Sequence, residues 1–188
     1  MMHEQGFNLK MFCTNNSISK SKLDELVNKN GISYKDIFII DESRINEKSF
    51  LSDVNKQIKA NQNIYLPKYM IFFHGTNLYL KDDILREGLL PTSNTRRRSY
   101  QSTNGYVYLA HKFERAYMFG TLANGPDVCV FAVLVKTTDM SIDMDQLRNM
   151  ACAHPEYSIK QTLADSIYYG GGIRFKGKIE PYNIVALN

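Results

Sequence analysis

Helical spacing of apolar residues dominates the first third of the chain. One helix is predicted from Ser17 or Ser19 to Asn30, because its leucine and valine residues share one face and serine is a favoured N-cap. Gly31 follows this segment and suits the left-handed conformation in which many helices end.

Three further segments complete this N-terminal third. Residues 47–60 carry apolar side chains at helical spacing and predict a second helix, whereas the apolar run 37–40 predicts a short strand. Residues 1–16 are weakly patterned, and we expect a strand or a loose end there. None of these segments contains a recognisable chemical motif. We therefore expect residues 1–67 to be a helical extension of a domain that spans residues 68–188.

Short apolar runs rich in aromatic and β-branched residues, a pattern typical of strands, dominate the rest of the chain. The predicted strands are 70–74, 105–110, 128–135, 173–176 and 182–187. Helices are predicted between Asn77 and Gly88 and over 112–122, and residues 143–153 predict either a helix or an irregular crossover. We therefore expect an α+β fold with one or two bent, mostly antiparallel sheets around a cleft, preceded by the N-terminal helical extension.

The composition is that of a soluble globular protein, since 44% of the 188 residues are hydrophobic and 22% are charged. The net charge of +4 is compatible with an anionic ligand or a nucleic acid, but it is equally common in proteins that bind neither. Cys13, Cys129 and Cys152 have no CxxC or histidine-paired spacing. We therefore expect no metal site, no disulfide framework and a reducing compartment.

Targeting signals are not visible in the sequence. No apolar run reaches the roughly 18 residues that a membrane span needs, and the N-terminus lacks the basic-then-apolar order of a signal peptide. We therefore expect a cytoplasmic protein without a membrane span. Delivery into a host cell by another secretion route, as for a toxin or an effector, would leave no such mark and stays open.

The motif His74-Gly75-Thr76 closes the first predicted strand of the second region. A buried strand that ends in this way delivers an imidazole and a glycine backbone to the floor of a pocket. Taken alone, His-Gly-Thr is also a common structural turn, and Tyr117, on the apolar face of its helix, is also explained by core packing. Only the joint order of these features favours a functional interpretation.

That joint order resembles the ADP-ribosyltransferase superfamily over residues 68–188, and most of all its diphtheria-toxin and poly(ADP-ribose) polymerase branch with a His, Tyr, Tyr pattern. The features that carry the resemblance are His74-Gly75-Thr76, the helix ending at Gly88-Leu89, the strand with Tyr108, the helix with Tyr117, the apolar strand 128–135 and the Gly-x-Ile-x-Pro ending at 177–181. The resemblance implies an enzyme that cleaves the bond between nicotinamide and ribose in NAD, its co-substrate. The ADP-ribose would pass to a protein or nucleic acid acceptor.

The resemblance also implies roles for individual residues, with His74, Tyr108 and Tyr117 as the catalytic set. His74 would hydrogen-bond a hydroxyl of the adenosine-side ribose, the Gly75 backbone would hold the nicotinamide carboxamide, and Thr76 would brace the turn. Tyr108 would line the pocket, and Tyr117 would stack on the nicotinamide, because an electron-rich ring suits a cationic pyridinium.

The run Arg96-Arg97-Arg98 lies in a polar segment, 92–104, that predicts a long exposed loop. Arg96 and Arg98 are candidates to bind the phosphates of NAD. The same three cations could instead meet a nucleic acid backbone, or form a solvated loop.

The last position of the family pattern, often Glu, falls near Gly172, and this stretch of the sequence contains no acid. Three interpretations are open. The acceptor could supply the base, the chain could be a catalytically inactive binder of NAD, ADP-ribose or another protein, or the role could fall to Asp165, Gln161 or Glu156. We favour the first, and we expect transfer of single ADP-ribose units rather than chain elongation.

The glycine-rich segment 168–175 also resembles the end of RNA 2′-phosphotransferases, which use NAD to remove a phosphate from RNA. The paired Arg and His residues of that family have no counterpart at the expected positions. This activity is therefore the second choice among the enzymes.

Overall fold

The structure is a computed structural model and describes residues 9–40, 42–62, 65, 68–92 and 102–188. Its α-helices are α1 (Leu9–Asn15), α2 (Lys20–Lys29), α3 (Phe50–Asn61), α4 (Lys81–Glu87), α5 (Phe113–Asn124), α6 (Met144–Ala153) and α7 (Leu163–Tyr168). Its strands are β1 (Tyr69–Asn77), β2 (Tyr106–Ala110), β3 (Val128–Lys136), β4 (Met140–Ile142), β5 (Gly172–Lys176) and β6 (Ile184–Ala186). Short 3-10 helices are Tyr34–Asp36, Glu42–Arg44, Leu78–Leu80, Thr137–Asp139 and Pro181–Asn183.

The six strands form one sheet in the order β4-β5-β2-β1-β3-β6, and every pair of neighbours is antiparallel. The expected α+β fold with antiparallel strands is therefore confirmed. The central strand β1 pairs with β3 residue by residue over its whole length, from Tyr69 opposite Lys136 to Asn77 opposite Val128. On its other edge β1 pairs with β2 at one position, Phe73 opposite Ala110.

Two hydrophobic clusters cover the two faces of the sheet, because successive side chains of a strand point to opposite faces. Phe72 packs in the cluster that includes side chains of α3, α4 and α7, and Phe73 packs in the cluster that includes side chains of α2 and α5. Both phenylalanine side chains are fully buried. Helices from the N-terminal third thus contribute to both cores, α2 on one face and α3 on the other.

The helix predicted from Ser17 or Ser19 is confirmed as α2. The Ser19 side chain accepts a hydrogen bond from the N–H of Lys22, and Gly31 takes a positive φ of 60° after the last turn. Its inner face buries Leu23, Leu26 and Val27. The helix over residues 143–153 is likewise present as α6, which Asp143 caps.

Two expectations for the N-terminal third are wrong. The apolar run 37–40 is not a strand, since it touches the sheet through one isolated parallel bridge between Ile37 and Tyr69. Residues 9–15 are helical rather than extended, because Phe12 turns inward and stacks on Phe73 with ring centroids 6.4 Å apart. The short elements β4 and α7 were not foreseen. None of the helices in the described ranges is both long and apolar enough to cross a membrane.

Candidate functional site

The strands β1 and β2 part immediately after their single pair, and the gap between them begins at Gly75. Val130, opposite Gly75 on β3, donates its N–H to Asn188 Oδ1 at 2.8 Å and accepts from the N–H of Leu187 at 2.9 Å. Both backbone groups of Val130 therefore point away from β1. In an antiparallel ladder this makes Gly75 and Val130 a non-hydrogen-bonded pair, so the N–H and C=O of Gly75 both point toward β2.

The imidazole of His74 keeps the two strands apart at this position. Extending the register from Phe73 and Ala110 would set Gly75 opposite Tyr108. Instead, His74 Nδ1 lies 3.0 Å from the carbonyl oxygen of Tyr108. A carbonyl oxygen only accepts, so Nδ1 is the donor and carries the proton. The His74 side chain thus binds the Tyr108 carbonyl oxygen, which would accept a hydrogen bond from the Gly75 N–H if the ladder continued.

Helix α5 packs against the face of the sheet at Gly75. A Cβ built on Gly75 would lie 2.0 Å from the carbonyl oxygen of Ala116, and a Cβ on Gly120 would lie 3.3 Å from the Cα of Gly75 and 2.6 Å from Val128 Cγ1. Strand and helix meet here with no room for any side chain between them. Glycine at position 75 is therefore required by packing, whatever its backbone binds. Thr76 follows as a buried residue in the same strand.

Tyr108 is fixed by a polar network at its hydroxyl end. Its hydroxyl is hydrogen-bonded to the carboxylate of Asp145 and accepts from the N–H of Thr103 at 2.7 Å. The Thr103 N–H and Oγ1 also donate to Asp145, at 3.0–3.1 Å. Burial, and then the hydrogen bond to Asp145, raises the pKa of Tyr108 to about 12. Tyr108 is therefore a neutral, positioned phenol at physiological pH.

Asp145 is a site residue that sequence reasoning missed. It lies in the first turn of α6, and only the fold brings that turn beside Tyr108 in the middle of β2. Burial acts to raise the pKa of Asp145, but the hydrogen bonds from Tyr108 and Thr103 outweigh it, so the pKa is lower than usual. Arg174, which pairs with Tyr108 on β5, extends the network, with Nη1 4.0 Å from the Asp145 carboxylate.

Tyr117 is 41% exposed, so its interpretation as a core residue is wrong. Its ring stacks on Phe113 with centroids 6.4 Å apart, and Phe113 in turn meets Phe73 and the N-terminal segment. Tyr117 thus lies on the flank of α5 that faces away from β5. Arg115 and Phe119 share the opposite flank, beside the glycines that precede β5.

No acid occupies the position that the family pattern gives to Glu. A Cβ on Gly172 would lie 1.9 Å from the carbonyl oxygen of Leu109, so no larger residue fits there. Of the three substitutes considered, Asp165 is held in the N-terminal capping box of α7 with Thr162, and Glu156 is exposed and pairs with His154 at 3.1 Å. Gln161 lies in the turn before α7 with φ of 54°.

Arg96 and Arg98 lie outside the described residues. A cavity of about 750 Å³ opens at the other end of β1, where β2 has ended and residues 37–40 take its place. His111, Lys112 and Glu42 supply polar groups to its wall. The cavity is not lined by His74, Tyr108 or Tyr117, so it is separate from the gap at Gly75.

His111 is the second histidine at this junction, next to the end of β2. Its Nδ1 lies 3.0 Å from the carbonyl oxygen of Gly171, and burial lowers its pKa, so the ring is neutral at physiological pH. Within the described part of the chain, no three His, Cys, Asp or Glu residues are arranged to hold a metal ion. Comparison of the chain with protein-family models and with curated protein sequences found no match.

Proposed function

We propose that this protein is an NAD-dependent mono-ADP-ribosyltransferase that modifies a protein or nucleic acid acceptor, with NAD as co-substrate. The observation that supports it most is the gap between β1 and β2, where Gly75 directs its N–H and C=O toward β2 beyond the one pair that joins the two strands. A nicotinamide carboxamide has one acceptor oxygen and an NH2 donor, which is the complementary pair.

The reaction needs orientation and charge stabilisation more than a strong acid. The bond between ribose C1′ and the nicotinamide nitrogen breaks, nicotinamide leaves with the electron pair, and positive charge develops on the ribose until the acceptor nucleophile bonds to C1′. Gly75 would anchor the leaving group, and His74, oriented by its bond to the Tyr108 carbonyl, would hold a ribose hydroxyl. Thr76 and Tyr108 would line this floor.

An aromatic ring from α5 would cover the nicotinamide. Tyr117 is the candidate from the sequence, but its flank faces away from β5, and Phe119 lies on the flank toward the glycines before β5. The geometry therefore favours Phe119 as the stacking ring. The paired variants Tyr117→Ala and Phe119→Ala separate the two, since only loss of the stacking ring should weaken nicotinamide binding.

The closed space at Gly172 limits what the site can do. Position 172 itself offers no base to the acceptor, so the acceptor nucleophile would lose its proton to another group. This supports transfer of single units. The same absence supports a second candidate function, a module that binds NAD or ADP-ribose without turnover.

Turnover is tested with purified protein, NAD labelled in its adenylate part and a cell lysate. We expect a labelled macromolecule and released nicotinamide, and we expect His74→Ala to abolish both. His154→Ala, a change at a partly exposed histidine at the end of α6, is the matched control and should leave both intact. Release of nicotinamide that is equal in wild type and His74→Ala would contradict the proposal.

Binding is tested separately by thermal unfolding with NAD and with nicotinamide. A ligand at 100 times its dissociation constant adds roughly 2.7 kcal/mol to the free energy of unfolding. Stabilisation by NAD without turnover in any lysate would favour the binding module. Neither binding nor turnover would exclude both candidates.

A further inference from the structure

Arg115 is a partly buried cation for which the described part of the chain provides no carboxylate. Among the described residues its buried Nε has no hydrogen-bond partner, and its one side-chain donation runs from Nη2 to the Gly170 carbonyl at a long 3.4 Å. The guanidinium also lies 5.5 Å from the centre of the Phe119 ring. Arg174 on β5 also has a buried Nε without a hydrogen bond among the described residues, but it has the Asp145 carboxylate at 4.0 Å.

The three glycines before and at the start of β5 form the seat of this guanidinium. A Cβ on Gly171, which has φ of 83°, would lie 2.0 Å from Arg115 Nε and 2.3 Å from its Cζ. Any other residue at position 171 would displace the arginine. A Cβ on Gly170 would clash with the carbonyl oxygen of Ser166, and a Cβ on Gly172 would clash with that of Leu109. Arg115 thus lies against Gly171, next in sequence to the position at which the family pattern has Glu.

The surroundings of Arg115 leave its charge unbalanced. Burial lowers the pKa of Arg115, and none of the described acids opposes this effect. The neighbouring His111 is neutral, and the carboxylate of Glu42 is taken by Lys112 at 2.9 Å. A guanidinium stays protonated in proteins, so a partly buried one without a counter-ion is destabilising until an anion arrives. Structures with this imbalance are typical of sites that bind charged ligands.

We propose that Arg115, seated on Gly170–Gly172, is an anion site that takes a phosphate group of a ligand. Arginine presents several N–H donors in a planar fork that matches phosphate oxygens. Its neighbour Ala116 rests its carbonyl oxygen on Gly75, so the same turn of α5 touches both the anion site and the gap between β1 and β2. The source is either the diphosphate of the dinucleotide or a phosphate on the acceptor.

The position of Arg115 would also affect the reaction, a consequence that rests on the proposed function. A cation beside the ribose opposes the positive charge that develops there as nicotinamide leaves. A phosphate bound to Arg115 would cancel that opposition. The site would then favour reaction only when its phosphate-bearing ligand is in place.

Calorimetric titration with sodium pyrophosphate tests the site directly. We expect saturable binding that Arg115→Gln weakens about tenfold or more, which corresponds to roughly 1.4 kcal/mol. Arg148→Gln, at an exposed arginine of α6, is the matched control and should bind as wild type does. Arg115→Lys keeps the charge without the fork, and should bind with intermediate affinity. Unchanged binding in Arg115→Gln, or an equal loss in Arg148→Gln, would overturn the proposal.

Competition identifies the source of the phosphate. Displacement of pyrophosphate by NAD would assign the site to the dinucleotide, whereas simultaneous binding of NAD and pyrophosphate would assign it to an acceptor. Nicotinamide alone reports on the gap at Gly75. If the wild-type protein binds pyrophosphate but not nicotinamide, the proposed function is contradicted and the anion site is supported. If it binds nicotinamide but not pyrophosphate, the anion site is contradicted and the proposed function is supported.

Discussion

The two edges of β1 differ in how far they are paired with the neighbouring strands. Toward β3, nine consecutive residues are paired, whereas toward β2 there is one pair, Phe73 with Ala110. The same strand is therefore a scaffold on one edge, whereas on the other edge the described residues provide one pair with β2 and one bridge from Ile37 to Tyr69. Residues directed to β3 hold the sheet together, and Gly75, directed to β2, keeps its backbone groups for another partner.

An open strand edge in the middle of a sheet needs a physical explanation, since unpaired backbone groups are costly when water is excluded. Here His74 maintains it, because its imidazole takes the carbonyl that would continue the ladder. Helix α5 packs on the face of the sheet at Gly75 and limits movement of the strand toward the helix, not toward β2.

The largest effect is expected on the scaffold edge. Phe131, opposite His74 on β3, is fully buried, and Phe131→Ala should lower the free energy of unfolding by about 3–5 kcal/mol because it removes apolar contacts and leaves a cavity. Urea denaturation followed by circular dichroism measures this. Phe131→Leu, which retains most of the volume, should lose much less. Equal losses in the two variants would mean that packing at this edge is not the cause.

Gly75→Ala should have the next largest effect, about 2–3 kcal/mol, because its Cβ would lie 2.0 Å from the Ala116 carbonyl oxygen and strand or helix must shift. Gly31→Ala adds the same methyl group where no atom lies within 4 Å, so only its positive φ of 60° opposes it, at about 1 kcal/mol. The comparison isolates the close approach of β1 and α5. A Gly75→Ala protein as stable as Gly31→Ala would contradict the contact between β1 and α5.

Tyr108→Phe tests the open edge at its β2 side. Removing the hydroxyl breaks its bonds to Asp145 and Thr103 and should lower stability by about 1 kcal/mol.

The raised pKa of Tyr108 also predicts how the stability of the protein depends on pH. A tyrosine whose pKa rises from 10 to about 12 on folding contributes stability that is complete below pH 10 and is lost as the pH rises through 12.

The measurement is urea denaturation at several alkaline pH values. Tyr108→Phe should reduce the fall in stability between pH 10 and pH 12, and the part that remains is expected because burial also raises the pKa of Tyr34. Tyr79→Phe, at an 84% exposed tyrosine, should leave the fall unchanged. An identical pH profile in wild type and Tyr108→Phe would show that the phenol is not buried against Asp145.

The scaffold edge could be predicted from the sequence, and much of the open edge could not. The apolar run of β3 and the capped helix α2 follow from local pattern, because their residues are chosen by burial on one strand or one helical face. Asp145 could not be found in this way, since the fold alone brings the first turn of α6 beside Tyr108.

The orientation of α5 shows a second reason. Its large aromatic residues suggested an inner face that includes Tyr117, but the face against the sheet is formed by Ala116 and Gly120. Gly75 leaves no side chain there to pack against, so small residues fit and aromatic residues move to the flanks. Which residues of α5 face the site therefore depends on Gly75, which lies 41 positions before Ala116 in the sequence.

The smallest effect is expected where residues 42–44 meet the end of β2, beside the cavity. Lys112 Nζ lies 2.9 Å from Glu42 Oε2, and both side chains are about 40% exposed, so solvent screens the pair. A double-mutant cycle with Lys112→Gln and Glu42→Gln should give a coupling energy of about 0.2–1 kcal/mol that decreases in high salt. A coupling above about 2 kcal/mol would mean that this end of the open edge is held as firmly as a buried contact. The contrast between the two edges of β1 would then apply only to the part that begins at Gly75.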